Sequence, residues 1–94
     1  MTVYVVTWDL NKEKSNYSAA RTAFISHLEK YPHCKDGGLD SVWFIQTTQD
    51  ANTITDYLKQ KLDNNDRLFV SRINSGQYQG WLAKPTWEWI EART

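Results

Sequence analysis

The chain has 94 residues, a formal net charge of zero, and 40% apolar residues that include five tryptophans. This length suits a single domain, residues 1–94, and the apolar content excludes an intrinsically disordered protein. Basic and acidic residues number 11 each, which excludes a strongly cationic protein, so nucleic-acid binding would have to rest on a local patch.

The first half of the chain predicts two strands separated by a helix. Residues 2–8 are β-branched and aromatic, which is typical of a strand. Apolar residues then recur at helical spacing over 17–31, and Pro32 ends this helix. Residues 41–47 predict a second strand, and a shorter strand is expected just before it, over 38–41.

The second half predicts a helix, two strands and a closing helix. Asp50 is suited to cap a helix over 51–62, and the alternation of residues 67–73 indicates a strand. Residues 77–83 predict its hairpin partner, and Pro85 suits the start of a short helix over 85–92. The order predicts an α+β, ferredoxin-like βαββαβ sandwich, with two helices on one face of an antiparallel sheet and an extra C-terminal strand.

Both faces of this sheet are apolar. In the first strand Val3, Val5 and Thr7 share one face with Asp9, while the other face is apolar as well. Because an antiparallel sheet with one solvated face alternates cleanly, the face away from the helices is predicted to meet a second copy across a two-fold axis. The predicted interface residues are Val3, Val5, Thr7, Val42 and Phe44. Alternatively, the C-terminal segment with Trp81, Trp87 and Trp89 folds back over this face.

Asp9 is the main candidate for chemistry. It comes directly after the first strand, and a carboxylate held by a rigid element suits a metal ligand or a base. The alternative is that Asp9 and Asn11 only form a turn. The group His33, Cys34 and Asp36 matches no zinc pattern, because such patterns need paired ligands at two separate places.

Basic residues near aromatic ones suggest a second kind of site. Such residues could contact phosphates while neighbouring tryptophans stack on bases. The alternative is that the tryptophans belong to the core and the basic residues are simply solvated. The candidates for nucleic-acid binding are Lys12, Lys14, Arg21, Arg67 and Arg72.

The compartment follows from two further features. A single cysteine, Cys34, excludes an intrachain disulfide and suits a reducing environment. No apolar run approaches the roughly 20 residues that a membrane helix needs. We therefore expect a cytoplasmic protein without a membrane span.

Several short motifs carry a resemblance to a known family. They are V-x-x-D-L at the end of the first strand, S-V-W-F in the second, and D-R-L-F-V-S-R-I before and within the third. With these motifs, residues 2–73 resemble the small CRISPR-associated endoribonucleases, the non-catalytic partners of the spacer integrase. The chain is similar, more loosely, to the virulence-associated protein D toxins.

This resemblance implies a ferredoxin-like homodimer that packs sheet to sheet. It implies that Asp9 of each copy faces its counterpart across the two-fold axis, and that the pair binds Mg²⁺ or Mn²⁺ for cleavage of RNA or DNA. Ser41, Val42 and Asp66 also match the family pattern. Two other functions stay open, namely a non-catalytic dimer that binds nucleic acid or a protein, and a toxin or phage-defence component that acts with a partner.

Overall fold

The computed structural model describes residues 2–11 and 15–94 of the chain. One four-stranded sheet has the strand order β2-β3-β1-β4, and every neighbouring pair is antiparallel. This is the βαββαβ order of a ferredoxin-like α+β fold with one helix added at the C-terminus, which confirms the predicted fold class. The elements are β1 (Thr2–Asp9), α1 (Tyr17–Leu28), β2 (His33–Lys35), β3 (Val42–Thr47), α2 (Ala51–Lys59), β4 (Arg67–Ile73) and α3 (Lys84–Glu91).

The short strand β2, which was expected directly before the strand over 41–47, was predicted in the wrong place. It forms over residues 33–35, where His33 pairs with Ile45 and Lys35 with Trp43, and not over 38–41. Gly37 and Gly38 follow this strand in a turn, in which the Leu39 N–H donates to the Asp36 carbonyl at 3.0 Å. The glycines therefore end a strand that begins directly after Pro32.

The predicted hairpin partner of β4 is also wrong. Residues 77–83 form no strand, although their sequence alternates. The chain turns at Gly76, whose φ of 78° is a conformation that glycine adopts without strain, and then leaves the sheet edge. Tyr78 and Leu82 instead pack on the face of the sheet, so these two residues of the segment serve packing and not strand pairing.

The face that carries α1 and α2 holds the main core. Trp8 lies at its centre, with its ring 5.1 Å from that of Phe24 and 6.2 Å from that of Trp43. At the start of α2, the Asp50 carboxylate accepts a hydrogen bond of 2.8 Å from the Thr53 N–H, as predicted for a helix cap. The buried residues of this helix-side core are Tyr4, Val6, Trp8, Leu10, Phe24, Leu28, Tyr31, Trp43, Ile45, Ile54 and Leu58.

The opposite face is partly covered by α3. Ile90 of α3 packs against Val3 of β1 and Phe44 of β3, and all three are buried. Val3 and Phe44, which were predicted to meet a second copy, are thus covered within their own chain. The alternative prediction, in which the C-terminal segment folds back over this face, is confirmed for the part of the face around Val3 and Phe44. Trp81 is an exception, since it is 99% exposed.

Among the described residues, no helix is both long and apolar enough to cross a lipid bilayer.

Candidate functional site

Asp9 lies at the exposed end of β1, on the face that α3 only partly covers. Its cross-strand neighbour on β4 is Arg67, and two residues earlier on β1 Thr7 lies opposite Phe69. Residues opposite each other in an antiparallel pair project on the same face, so these four side chains form one surface. We call Thr7, Asp9, Arg67 and Phe69 the Asp9 patch. Phe69 is 63% exposed, which shows that α3 leaves this end of the face open.

The Arg67 guanidinium is held by its own loop. Its Nη1 donates to the carbonyl oxygens of Asn64, at 3.2 Å, and of Asp66, at 3.0 Å. These bonds leave its other N–H groups for a ligand, because a guanidinium carries five donors. Arg67 can therefore present a positive charge from the strand position opposite Asp9.

Asp66, which matches the family pattern, has a structural role. Its carboxylate is buried and accepts hydrogen bonds from the backbone N–H groups of Asn11, at 2.8 Å, and of Asp63, at 3.0 Å. These bonds join the loop after β1 to the loop before β4. The two loops therefore lie at the same end of the sheet, and Asp66 supports the loop that follows Asp9.

The remaining basic candidates do not form one patch. Arg21 of α1 lies beside a cavity of about 170 Å³ that Lys35 and Trp43 also line, on the helix side of the sheet. Arg72 pairs with Tyr4 and lies further along the sheet, away from Asp9. Lys12 and Lys14 lie outside the described residues. The structure thus brings together Asp9 and Arg67, and it leaves Arg21 and Arg72 elsewhere.

Trp8, Trp43 and Trp81 are the tryptophans proposed to stack on bases, and the first two belong to the core. Trp8 and Trp43 are 5% and 4% exposed and pack under α1 and α2. For these two residues the alternative prediction, that they are core side chains, is correct. Aromatic contacts to a nucleic acid would fall instead to the exposed Phe69 or Trp81.

Asp36 has a role that the sequence did not reveal. Its Oδ2 accepts hydrogen bonds from the Ala83 N–H, at 2.8 Å, and from the Thr86 hydroxyl, at 3.0 Å, while Oδ1 accepts from the Gly38 N–H, at 2.8 Å. The N–H groups of Ala83 and Gly38 and then the Thr86 hydroxyl hold the pKa of the Asp36 carboxyl below its usual value. The Asp-Gly-Gly sequence indicates only the local turn, whereas the bonds to α3 span 47 and 50 residues.

In the group of His33, Cys34 and Asp36, the histidine and the carboxylate make hydrogen bonds within the chain. The Nδ1 of His33 donates to the Tyr31 carbonyl at 2.8 Å, and its ring stacks on Trp43. Burial raises the pKa of the Cys34 thiol, which disfavours the thiolate that a metal requires. The carboxylate of Asp36 is occupied by the start of α3.

The described residues contain no group of three or more His, Cys, Asp or Glu side chains that could hold a metal ion. Mg²⁺, however, is often bound by one or two carboxylates together with substrate phosphates and water. Asp9 alone would offer one carboxylate in each chain, so two copies would be needed to offer two.

A larger cavity, of about 470 Å³, lies away from this chemistry. It is lined by Tyr78, Trp87 and Glu91 and by Ser75 and Gly76, which follow the end of β4. That end of β4 pairs with Val3, at the opposite end of β1 from Asp9. Its size does not make it the candidate site, because none of Asp9, Arg21, Arg67 and Arg72 lines it.

Comparison with known proteins adds one likeness at the level of fold. No protein-family model and no curated protein matches this chain. The chain is similar to the crystal structure of a hypothetical protein, TT1823, from Thermus thermophilus, with a TM-score of 0.59 and 17% sequence identity. The match covers 87% of this chain and 94% of that one. At this identity the likeness shows a shared fold alone.

Proposed function

We propose that the protein acts as a homodimer on RNA or DNA, as a CRISPR-associated endoribonuclease-like protein whose paired Asp9 carboxylates bind Mg²⁺ or Mn²⁺ for phosphodiester cleavage. The observation that carries this proposal is the position of Asp9, exposed at a strand end beside Arg67 and on the open half of a partly apolar face. A carboxylate that served only as a turn former would not need to lie on this face.

The roles of the two charged residues follow from their chemistry. Two Asp9 carboxylates that face each other across a two-fold axis would repel, and a divalent cation between them would relieve this repulsion. When bound, such an ion supplies an activated water and stabilises negative charge on the phosphate. Arg67 would position a backbone phosphate, because its guanidinium is charged at all physiological pH values and held by its loop.

The Asp9 patch is also where a second copy has room to dock. Val3 and Phe44 are covered by α3, whereas Phe69 is 63% exposed. In a two-fold interface each surface meets its own copy, so Phe69 would pack near the axis and Asp9 of one subunit would lie near Asp9 of the other. Val5, Thr7 and Val42, which are half-buried, stay predicted interface residues. We place the protein in the cytoplasm, where Cys34 remains reduced.

A cleavage assay with matched variants tests this function. Purified protein is incubated with single- and double-stranded RNA and DNA in Mg²⁺, Mn²⁺ or EDTA, beside Asp9→Asn and the control Asp56→Asn. Asp56 is an exposed carboxylate of α2, next to Lys59 and away from the sheet. We expect cleavage by the wild type and by Asp56→Asn only. Equal cleavage by Asp9→Asn would contradict a catalytic role for Asp9.

A non-catalytic dimer that binds nucleic acid is the second candidate. It is favoured by the finding that the described residues hold no group of three or more metal-ligating side chains. Binding of labelled RNA and DNA, measured by fluorescence polarisation over a salt series, tests it. If Arg67 contacts a phosphate, Arg67→Ala lowers the slope of log affinity against log salt by about one. Binding without cleavage would support this candidate over the enzyme.

A further inference from the structure

The C-terminal segment covers the centre of the sheet through few contacts. We call residues 74–94, which include α3, the C-terminal cover. Its main apolar anchor is Ile90, which is 1% exposed and packs on Val3 and Phe44. Among the described residues this cluster has three buried members, against eleven in the helix-side core. A unit with so little buried apolar surface opens at a lower free energy than the core it rests on.

Polar contacts fasten the start of α3 at one point. The Asp36 carboxylate holds the Ala83 N–H and the Thr86 hydroxyl, and both bonds cross from the sheet to the cover. They also satisfy donors at the first turn of a helix whose cap residue, Ala83, has no side chain that could do so. Asp36 therefore acts as a clip between the sheet and the cover.

The other end of the cover is a turn that can serve as a hinge. Gly76 has a φ of 78°, and the Gln77 N–H donates to the Asn74 carbonyl at 3.0 Å within the same turn. Residues 74–83 form no strand and add no hydrogen-bonded ladder to the sheet. The cover could therefore rotate away at residues 74–76 without breaking any strand pairing.

We propose that the C-terminal cover is a displaceable lid, hinged at residues 74–76 and clipped by Asp36, whose opening exposes Val3, Val5 and Phe44 to a second copy of the chain. This inference rests on the homodimer of the proposed function. In the closed chain, contact between two copies is limited to the Asp9 patch and the half-buried side chains of Val5 and Val42. In the open chain, the full apolar face is available and the interface becomes larger, so the cover opposes dimerisation.

Amide hydrogen exchange on the full-length chain tests whether the cover opens by itself. Asp36→Ala removes the clip, and Asp50→Ala is its matched control, because Asp50 accepts the Thr53 N–H at the start of α2. We expect Asp36→Ala to accelerate exchange in α3 by at least roughly tenfold, the factor that corresponds to the loss of one of its two charge-assisted hydrogen bonds to the cover, and to leave α2 unchanged. Equal acceleration of α2 and α3 by Asp36→Ala would overturn the lid, because the two would then unfold together.

A disulfide lock tests the link to dimerisation. Cys34 is the single cysteine, and Thr86 of the cover is bound two residues further along the chain, where its hydroxyl donates to the Asp36 carboxylate at 3.0 Å. In Thr86→Cys, oxidation would join β2 to α3, and reduction of the same chain provides the control. Complete bond formation is verified with a thiol reagent. By analytical ultracentrifugation we expect the oxidised form to dimerise at least about tenfold more weakly than the reduced form, and Asp36→Ala to dimerise more tightly than wild type.

The outcomes separate this inference from the function on which it rests. Equal dimerisation of the oxidised and reduced forms would overturn the lid as a control of assembly and leave the homodimer standing. If neither form, nor the wild type, dimerises at micromolar concentration, then the homodimer itself is wrong and the control of assembly is wrong with it. Unaccelerated exchange of α3 in Asp36→Ala would overturn the lid whatever the oligomeric state.

Discussion

The two faces of the sheet differ in how completely they are covered, although both are apolar in sequence. On one face α1 and α2 enclose a continuous core in which Ile45, Ile54 and Leu58 are fully buried. On the other face α3 buries Val3 and Phe44, but Phe69 stays 63% exposed. The face that carries α1 and α2 thus accounts for most of the stability. The opposite face combines a small core around Ile90 with the exposed Asp9 patch.

This contrast shows why alternation alone did not identify the partner of the second face. An apolar strand face indicates that something covers it, whether a helix of the same chain or a second copy. Here α3 of the same chain covers the half of the face around Val3 and Phe44. Only the remaining half, at the Asp9 end, is open to a partner.

The largest expected effect comes from the helix-side core. Leu58→Ala should lower the free energy of unfolding by about 2–5 kcal/mol, because the fully buried side chain leaves a cavity between α2 and the sheet. Urea denaturation followed by circular dichroism measures the change. A loss well below 1 kcal/mol would mean that this face is less tightly packed than described.

Ile90→Ala tests whether the second face is a separate unit. The buried Ile90 side chain anchors α3, so its truncation should lower the free energy of unfolding by about 2 kcal/mol or more. The helix α3 should open before the rest of the chain. Hydrogen exchange should accelerate in α3 while α1 and α2 keep their protection. Similar acceleration in α2 would show that the two faces unfold as one.

A pH dependence should distinguish the Asp36 clip from an uncharged contact. The folded pKa of Asp36 is lowered by the bonds from Ala83, Gly38 and Thr86, so its contribution to stability is fully present above the unfolded value of 3.8. As the pH falls below that value and through the folded pKa, the contribution is lost. The difference in thermal stability between wild type and Asp36→Ala should therefore shrink on acidification from pH 7 to pH 3. A constant difference would contradict the ionised clip.

The smallest stability changes are expected at two exposed aromatic residues. Phe69→Ala and Trp81→Ala should each change the free energy of unfolding by no more than about 0.5 kcal/mol, because neither side chain is buried in the chain. Self-association should separate them. Sedimentation should show weaker dimerisation for Phe69→Ala, which lies in the Asp9 patch. An equal loss for Trp81→Ala would move the interface towards the C-terminal cover.

Those features of the candidate site that depend on the pattern of a single strand were predictable from the sequence. The exposure of Asp9 at the end of β1 follows from the strand pattern, and its neighbour Arg67 follows once β4 pairs with β1. The roles of Asp66 and Asp36 were not predictable, because each carboxylate accepts hydrogen bonds from distant loops, 55 and 47 residues away. The sequence does not distinguish an Asp that forms a local turn from an Asp whose carboxylate links distant segments, because Asp is common in turns.

The sequence by itself determined the ferredoxin-like class, the face on which Asp9 lies, and the elements β1, α1, β3, α2, β4 and α3. These depend on local periodicity, which every element carries in its own residues. Only the tertiary structure decided where β2 forms, that Tyr78 and Leu82 pack on the sheet while their segment forms no strand, and that α3 covers Val3 and Phe44. These depend on contacts between segments far apart in the chain, which compete for the same apolar surface and leave no periodic signal.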